Sequence, residues 1–337
     1  MNFYRQFGFA DARCQLKDAS RKAYAVPSLN FITMEQLNAI ADALLARRSP
    51  VILMVAPKHC RQFETQMIVR MAQAMVERVR AAGCGCPISL HLDHGTCFEE
   101  CKDAIDHGFS SVMIDGSGLP LEENIRLTRR VVDYARLFDV AVEGEVGALS
   151  GCEDGDEGEA GQQRYTDPAQ ARRFVEETGV DSLAVSVGTV HGLNKSSGGD
   201  HTVFSGLRYD LIDEISALLP EFPLVLHGCS SLPAKYVDMI NHYSGKMEPM
   251  VGVPDECLEK VSKTAVCKIN IASDGWIPST AITRKVLAEH PDLVDSRLYR
   301  KEIREELTGI YCHKMDLFGS TGKGWAVSVS DNAFIFG

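Results

Sequence analysis

The chain has no surplus of basic charge. Its 35 lysines and arginines are outnumbered by 46 aspartates and glutamates, for a net charge of −11, which argues against a broad nucleic-acid or anionic-membrane surface. It has no apolar run approaching the roughly 20 residues of a membrane span. Met1 to Lys17 mixes aromatics with charges and lacks the apolar stretch of a signal peptide, so a cytoplasmic protein is expected. There is no internal repeat and no linker at which the chain would split. Cysteine is not scarce, but eleven is an odd number. Cys267 and Cys312 fall in segments that read as buried strand or helix, so reduced thiols are expected rather than a disulfide scaffold. Cys84-Gly85-Cys86 and Cys97…Cys101 lack the second pair that a zinc ribbon needs.

What is present is a regular alternation of strand and helix. The 337 residues, 45% apolar, suffice for one large barrel or two ordinary domains at about 150 residues each. Strands are predicted over 24–31, 50–56, 88–95, 111–115, 141–147, 182–190, 224–226 and 266–271. Helical spacing fills the gaps: 34–46, about 61–81, a helix from near Phe98, 121–138, and one opened by Asp167-Pro168 as N-cap and first-turn proline. A helical tail runs from Ser296 to Phe318. Eight strands alternating with helices predict a single-domain (β/α)₈ TIM barrel spanning 1–337, with a C-terminal helical extension.

The chemistry gathers at the C-terminal strand ends, where a barrel carries its active site. In Ile88-Ser-Leu-His-Leu-Asp-His-Gly95, apolar residues alternate with polar ones and the run ends on Asp93 and His94. His94, His191 and His227 close strands three, six and seven, and each is followed by glycine. Three imidazoles around one mouth suit a catalytic zinc ion with an open position. The plainer alternative is a set of hydrogen-bonded polar residues closing strands. Glu145, ending strand five, is a further ligand candidate or a partner of one. Gly228 to Ser231 and Ala272 to Asp274 follow strands seven and eight, whose loops build barrel phosphate sites; Lys195 could add a charge there. The glycine-rich acidic stretch 148–166 reads as a lid or as a solvated insertion. Asn30 lies near the end of strand one.

These stretches together carry a resemblance. HLDHG (91–95), FSSVMIDGS (109–117), VEGEVGALSG (142–151), VGTVHG (187–192), LHGCSS (226–231), VDMINHYSGKM (237–247), VGVP (251–254) and VCKINIASD (266–274) occur in order. In them the chain resembles the class II, zinc-dependent ketose-bisphosphate aldolases, chiefly fructose-1,6-bisphosphate aldolase. The resemblance implies a catalytic zinc on His94, His191 and His227, with Glu145 a carboxylate near it. It implies that Asp93 handles the proton of the C4 hydroxyl, Glu153 the proton on C3, and that Asn270 lies beside the enediolate. It places the C1 phosphate at Gly192, Lys195, Gly228, Ser230 and Ser273, and a monovalent cation near it in some members. Asn30 is grouped with the substrate contacts, and Arg297 matches an arginine that can come from a neighbouring subunit of a homodimer or homotetramer.

The sequence also departs from that pattern. Ala272 replaces a substrate-facing aspartate, Trp276 an arginine that meets the distal phosphate, and Ala56-Pro57 a Ser-Arg pair. Lys58, His59 or Arg61 could substitute. The expected activity is reversible cleavage of a ketose 1-phosphate or 1,6-bisphosphate, nominally fructose 1,6-bisphosphate, to dihydroxyacetone phosphate and an aldehyde. The rivals are a tagatose-bisphosphate or other ketose-1-phosphate aldolase with altered aldehyde choice, and a non-catalytic metal- and phosphate-binding relative.

Overall fold

The structure is a computed structural model and describes residues 3–148, 164–189, 204, 206–250 and 252–325. The elements run α1 (Ala12–Lys22), β1 (Val26–Asn30), α2 (Met34–Arg47), β2 (Val51–Val55), α3 (Pro57–Phe63), α4 (Thr65–Ala81), β3 (Ile88–Gly95), α5 (Phe98–His107) and β4 (Ser111–Ile114). They continue with α6 (Leu121–Arg136), β5 (Ala141–Val146), α7 (Pro168–Thr178), β6 (Ser182–Val185), α8 (Tyr209–Leu218), β7 (Leu224–Leu226), α9 (Lys235–His242), α10 (Asp255–Val261), β8 (Val266–Ile271), α11 (Ser273–Glu289) and α12 (Arg297–Leu317). The eight strands close in sequence order into a parallel barrel. Each return to the next parallel strand crosses over through helix, which covers the outer face.

Local chemistry accounts for most boundaries. Val51–Val55 is apolar throughout because this strand is buried on both faces. Thr33 caps α2 in a reciprocal box with Gln36. Asp167 caps α7 by accepting from the Gln170 N–H, with Pro168 in the first turn as expected. Cys267 and Cys312 are buried thiols, not disulfides.

Two expectations need correction. The helix placed over 61–81 is two helices, α3 and α4, broken at Glu64, whose φ of +65° cannot continue a helix. Strand six stops at Val185 instead of running to 190. Beyond it, Ser186 exchanges hydrogen bonds with Thr166, its N–H donating to Thr166 Oγ1 and its carbonyl accepting from the Thr166 N–H, so the ladder with β5 ends. The amino-terminal stretch is structured as a 3₁₀ turn, Phe3–Phe7, and α1. α1 covers the end of the barrel opposite the strand C-termini: Gln15 Nε2 donates to the carbonyls of Val51 and Pro87, at the start of β2 and just before β3.

Two polar tiers line the barrel interior. His91, Glu143 and Lys268 form the lower one. Two residues further along the same strands, and so on the same face, Asp93, Glu145 and Asn270 form the upper one at the mouth.

Candidate active site

β3 breaks its own alternation to build the site. In a regular strand Asp93 and His94 would point to opposite faces. Here the register against β4 shifts between Leu92 and Gly95. His94 has a φ of +48°, a left-handed conformation that histidine tolerates better than most residues. Asp93 and His94 therefore both reach the mouth, where they gather with His227 so that their ligand atoms lie within 4.8 Å of one another. Gly95 serves packing rather than ligand access. A Cβ there would lie 2.8 Å from the Met113 carbonyl and 2.9 Å from Cys101 Sγ.

The hydrogen-bond partners assign the imidazole tautomers. His94 Nδ1 donates to Asp115 Oδ2 at 2.9 Å, and His227 Nε2 donates to Glu143 Oε1 at 2.9 Å. The remaining nitrogens, His94 Nε2 and His227 Nδ1, face each other at 2.7 Å. In neutral rings both carry lone pairs, which repel at that distance unless a proton or cation lies between them. Burial and the neighbouring His94 push His227 down to about 4, which disfavours the proton at neutral pH. Two converging imidazole lone pairs with the Asp93 carboxylate alongside fit a borderline divalent cation such as zinc.

A second acidic group adjoins the first. Asp115, just past β4, and Glu145 converge on His94 with ligand atoms again within 4.8 Å. Glu145 thus groups with His94 and Asp115. Burial alone would raise the Asp115 carboxyl; the His94 hydrogen bond outweighs it and holds the group at about 2.

Asn270 ties the site together. Its Nδ2 donates to Asp93 Oδ1 at 2.8 Å and lies 3.2 Å from His227 Nδ1. Its buried Oδ1 has no hydrogen-bond partner among the described residues. A buried acceptor left this way is costly, so this one is suited to a hydroxyl donor from substrate.

The lower tier holds His227 from beneath. Lys268 Nζ donates to Glu143 Oε2 at 2.8 Å and lies 3.0 Å from His91 Nε2, while His91 Nδ1 meets Ser111 Oγ at 2.8 Å. Lys268 and Glu143 are each 1% exposed. Burial would push the Glu143 carboxyl up. The Lys268 ammonium and the His227 N–H reverse that and hold it well below the ordinary range. Burial and then Lys268 push His91 far down, so its ring is neutral.

The loops after β7 and β8 lie side by side. Gly228 has a φ of +65°, and Ser230 and Ser273 are buried. Elsewhere at the mouth, Trp276 Nε1 donates to Asn30 Oδ1 at 3.0 Å, and Asn30 Nδ2 reaches the Met54 carbonyl at 3.4 Å. Arg61, one of the candidate replacements for a distal cation, is exposed and pairs with Glu100 at 2.6 Å. Arg297, 87% exposed, forks onto Asp295 at the start of α12. Glu153, His191, Gly192 and Lys195 lie outside the described residues.

The family described as fructose-bisphosphate aldolase class-II matches residues 10–323. The chain belongs to this family. It is 43% identical over 333 residues to a fructose-bisphosphate aldolase of Treponema pallidum, covering 96% of this chain and all of that one. It is 35% identical over 318 residues to a 6-phospho-5-dehydro-2-deoxy-D-gluconate aldolase of Bacillus licheniformis, covering 94% and 96%. Among solved structures, the YdjI aldolase of Escherichia coli K12 superposes with a TM-score of 0.71 at 28% identity, over 94% of this chain and all of that one. The chain is therefore a class II aldolase, a lyase acting on a sugar phosphate, of a family that is generally metal-dependent. Among the described residues no helix is long and apolar enough to cross a membrane.

Three site residues escaped the sequence reading: Asp115, Glu143 and Lys268. Period two was the available signal for the last two. Glu143 precedes Glu145, and Lys268 precedes Asn270, by two residues on the inward face of a strand. Asp115 is the last residue of the predicted strand 111–115, and the observed β4 ends one residue before it, at Ile114.

Proposed function

We propose that this aldolase cleaves a ketose 1-phosphate between C3 and C4, with zinc as its metal, to give dihydroxyacetone phosphate and an aldehyde. The observation that carries the reading is the convergence of Asp93, Asn270 and two imidazole lone pairs on one point at the barrel mouth. His94 and His227, with His191, would hold the ion, and Glu145 with Asp115 would flank it. When bound, the ion supplies Lewis-acid polarisation of the ketose carbonyl.

The residues of this chain do the rest. Asp93 takes the C4 hydroxyl proton in cleavage and returns it in condensation. Its Oδ1 is held by the Asn270 amide at 2.8 Å, which fixes the orientation of the carboxylate. Asn270 Oδ1 accepts a substrate hydroxyl. Glu153 exchanges the C3 proton. Gly192, Lys195, Gly228, Ser230 and Ser273 hold the C1 phosphate, beside a monovalent cation. The protein works in the cytoplasm as one barrel unit per subunit of a homodimer or homotetramer, to which Arg297 contributes across an interface. Chelation should abolish cleavage and zinc should restore it. Full activity in metal-free protein, or substrate trapped on a lysine by borohydride, overturns the reading.

Fructose 1,6-bisphosphate is the nominal substrate, as the name of the Treponema relative suggests. The hydrogen bond from Trp276 to Asn30 favours a second reading in which the aldehyde is not glyceraldehyde 3-phosphate. A phosphate dianion calls for charge-assisted partners such as arginine. Trp276 offers one N–H, already engaged by Asn30, and Ala56 and Ala272 offer no side-chain donor or acceptor. The Bacillus relative is named for a substrate with a carboxylate at one end and a single phosphate beside its ketone, an example of a family member whose distal end differs. The two readings separate on kcat/KM for fructose 1,6-bisphosphate, tagatose 1,6-bisphosphate and fructose 1-phosphate. A bisphosphate cleaved at an ordinary aldolase rate, with fructose 1-phosphate far worse, eliminates the second reading.

A further inference from the structure

α12 follows the last βα unit of the barrel, and only Arg297 at its start has so far been given a task in the site. Yet Lys314, near its C-terminal end, is 1% exposed and reaches inward to Asp274, which is 0% exposed. Lys314 Nζ lies 3.1 Å from Asp274 Oδ2 and donates to the Ser231 carbonyl at 3.0 Å. Asp274 in turn accepts from the Ser231 N–H, at 3.2 and 3.3 Å. The preceding residue on α12, His313, lies 2.7 Å from Asp255 Oδ2, and Asp255 Oδ1 accepts from Ser231 Oγ at 3.2 Å.

Ser231 is therefore held at its N–H, its carbonyl and its hydroxyl. All three restraints lead to Asp274, Lys314 or Asp255. Ser231 directly follows Ser230, and Asp274 directly follows Ser273. Ser230 and Ser273, two of the residues proposed to hold the phosphate, are thus each covalently joined to a member of one hydrogen-bonded cluster centred on the buried Lys314–Asp274 pair. A lysine is seldom buried without a partner, since it must leave water. This one is placed where its charge holds the two phosphate loops at a fixed separation.

We propose that Lys314 is a positioning residue for the phosphate site: through Asp274 and Ser231 it sets the distance between Ser230 and Ser273. The proposal rests on the reading that these two loops take the C1 phosphate of the substrate. Lys314 does not touch substrate. It acts by preorganising the donors, and loss of preorganisation lowers affinity without removing any contact.

The test uses the metal-loaded enzyme in the condensation direction, where dihydroxyacetone phosphate and the aldehyde have separate KM values. Lys314→Met should raise KM and Kd for dihydroxyacetone phosphate about tenfold or more, with the aldehyde KM and metal content unchanged. General destabilisation would instead lower the active fraction and leave both KM values alone. Because Lys314→Met strands the Asp274 charge, the double variant Lys314→Met/Asp274→Asn is measured beside it. It removes both charges and should fold while keeping the raised KM. Ser273→Ala reports on the underlying reading. If Ser273→Ala weakens dihydroxyacetone phosphate binding while the folded Lys314 variants bind it normally, the positioning role is overturned alone. If Ser273→Ala also binds it normally, the phosphate assignment falls and this proposal with it.

Discussion

His94 Nε2 and His227 Nδ1 face each other at 2.7 Å although 133 residues separate them. Each ring is turned by an acid on its far nitrogen, Asp115 for His94 and Glu143 for His227. Carboxylates that orient histidines in this way also raise their basicity toward a metal.

Glu143 should therefore matter to the metal without touching it. Glu143→Gln leaves an amide that can present its N–H to His227 and favour the wrong tautomer, so metal affinity should fall about 10- to 100-fold. It also strips Lys268 of its counter-charge, which should cost roughly 3–5 kcal/mol of stability. Competition with a chelator reads the first effect and urea unfolding the second. Unchanged metal affinity in the folded variant would remove Glu143 from the site.

Asp93 carries the proton in the proposed mechanism and is already aligned by Asn270 at 2.8 Å. Asp93→Ala should lower kcat by about two to four orders of magnitude, the usual worth of a positioned acid or base. Elemental analysis should still find the metal on His94, His191 and His227. Near-normal turnover would assign the proton to another group.

Glu153 tests the acidic stretch 148–166 as a functional segment. Glu153→Gln should slow exchange of the C3 proton of dihydroxyacetone phosphate into deuterated water, by about 10²-fold or more, and leave its Kd within a few fold. Exchange at the normal rate would return the stretch to a solvated insertion.

His59 should give the fold an acid-side weakness. Burial, reinforced by Lys58, pushes this imidazole down to about 4, and its buried Nδ1 has no partner among the described residues. An unfolded chain protonates His59 below about pH 6.5, whereas the folded chain resists until about 4. Stability is thus full above pH 6.5 and falls as the pH drops toward 4, by up to about 3 kcal/mol from this group. His59→Leu should flatten that slope in urea unfolding at pH 7, 6 and 5. Parallel slopes would clear His59 as the source.

The sequence by itself determined the order of elements and most of the site's raw material. Alternation in 88–95 and unbroken apolarity in 51–55 depend on which faces are buried, and a parallel barrel buries them uniformly along its strands. Asp93, His94 and His227 were legible because each closes a strand whose pattern is plain, whereas Asn270 came only with the family resemblance. Only the tertiary structure decided what depends on partners distant along the chain. The left-handed turn at His94 has no glycine to announce it. The break at Glu64 lacks both glycine and proline. β6 ends early because Ser186 is captured by Thr166 from an earlier loop. The choice of tautomers waits on Asp115 and Glu143, and the brace on Ser231 waits on Lys314, which is 83 residues further on. Local pattern records which residues prefer burial and in what conformation. It does not record which buried polar group meets which, and that pairing arises only when the barrel closes and leaves each of them little else to bond with.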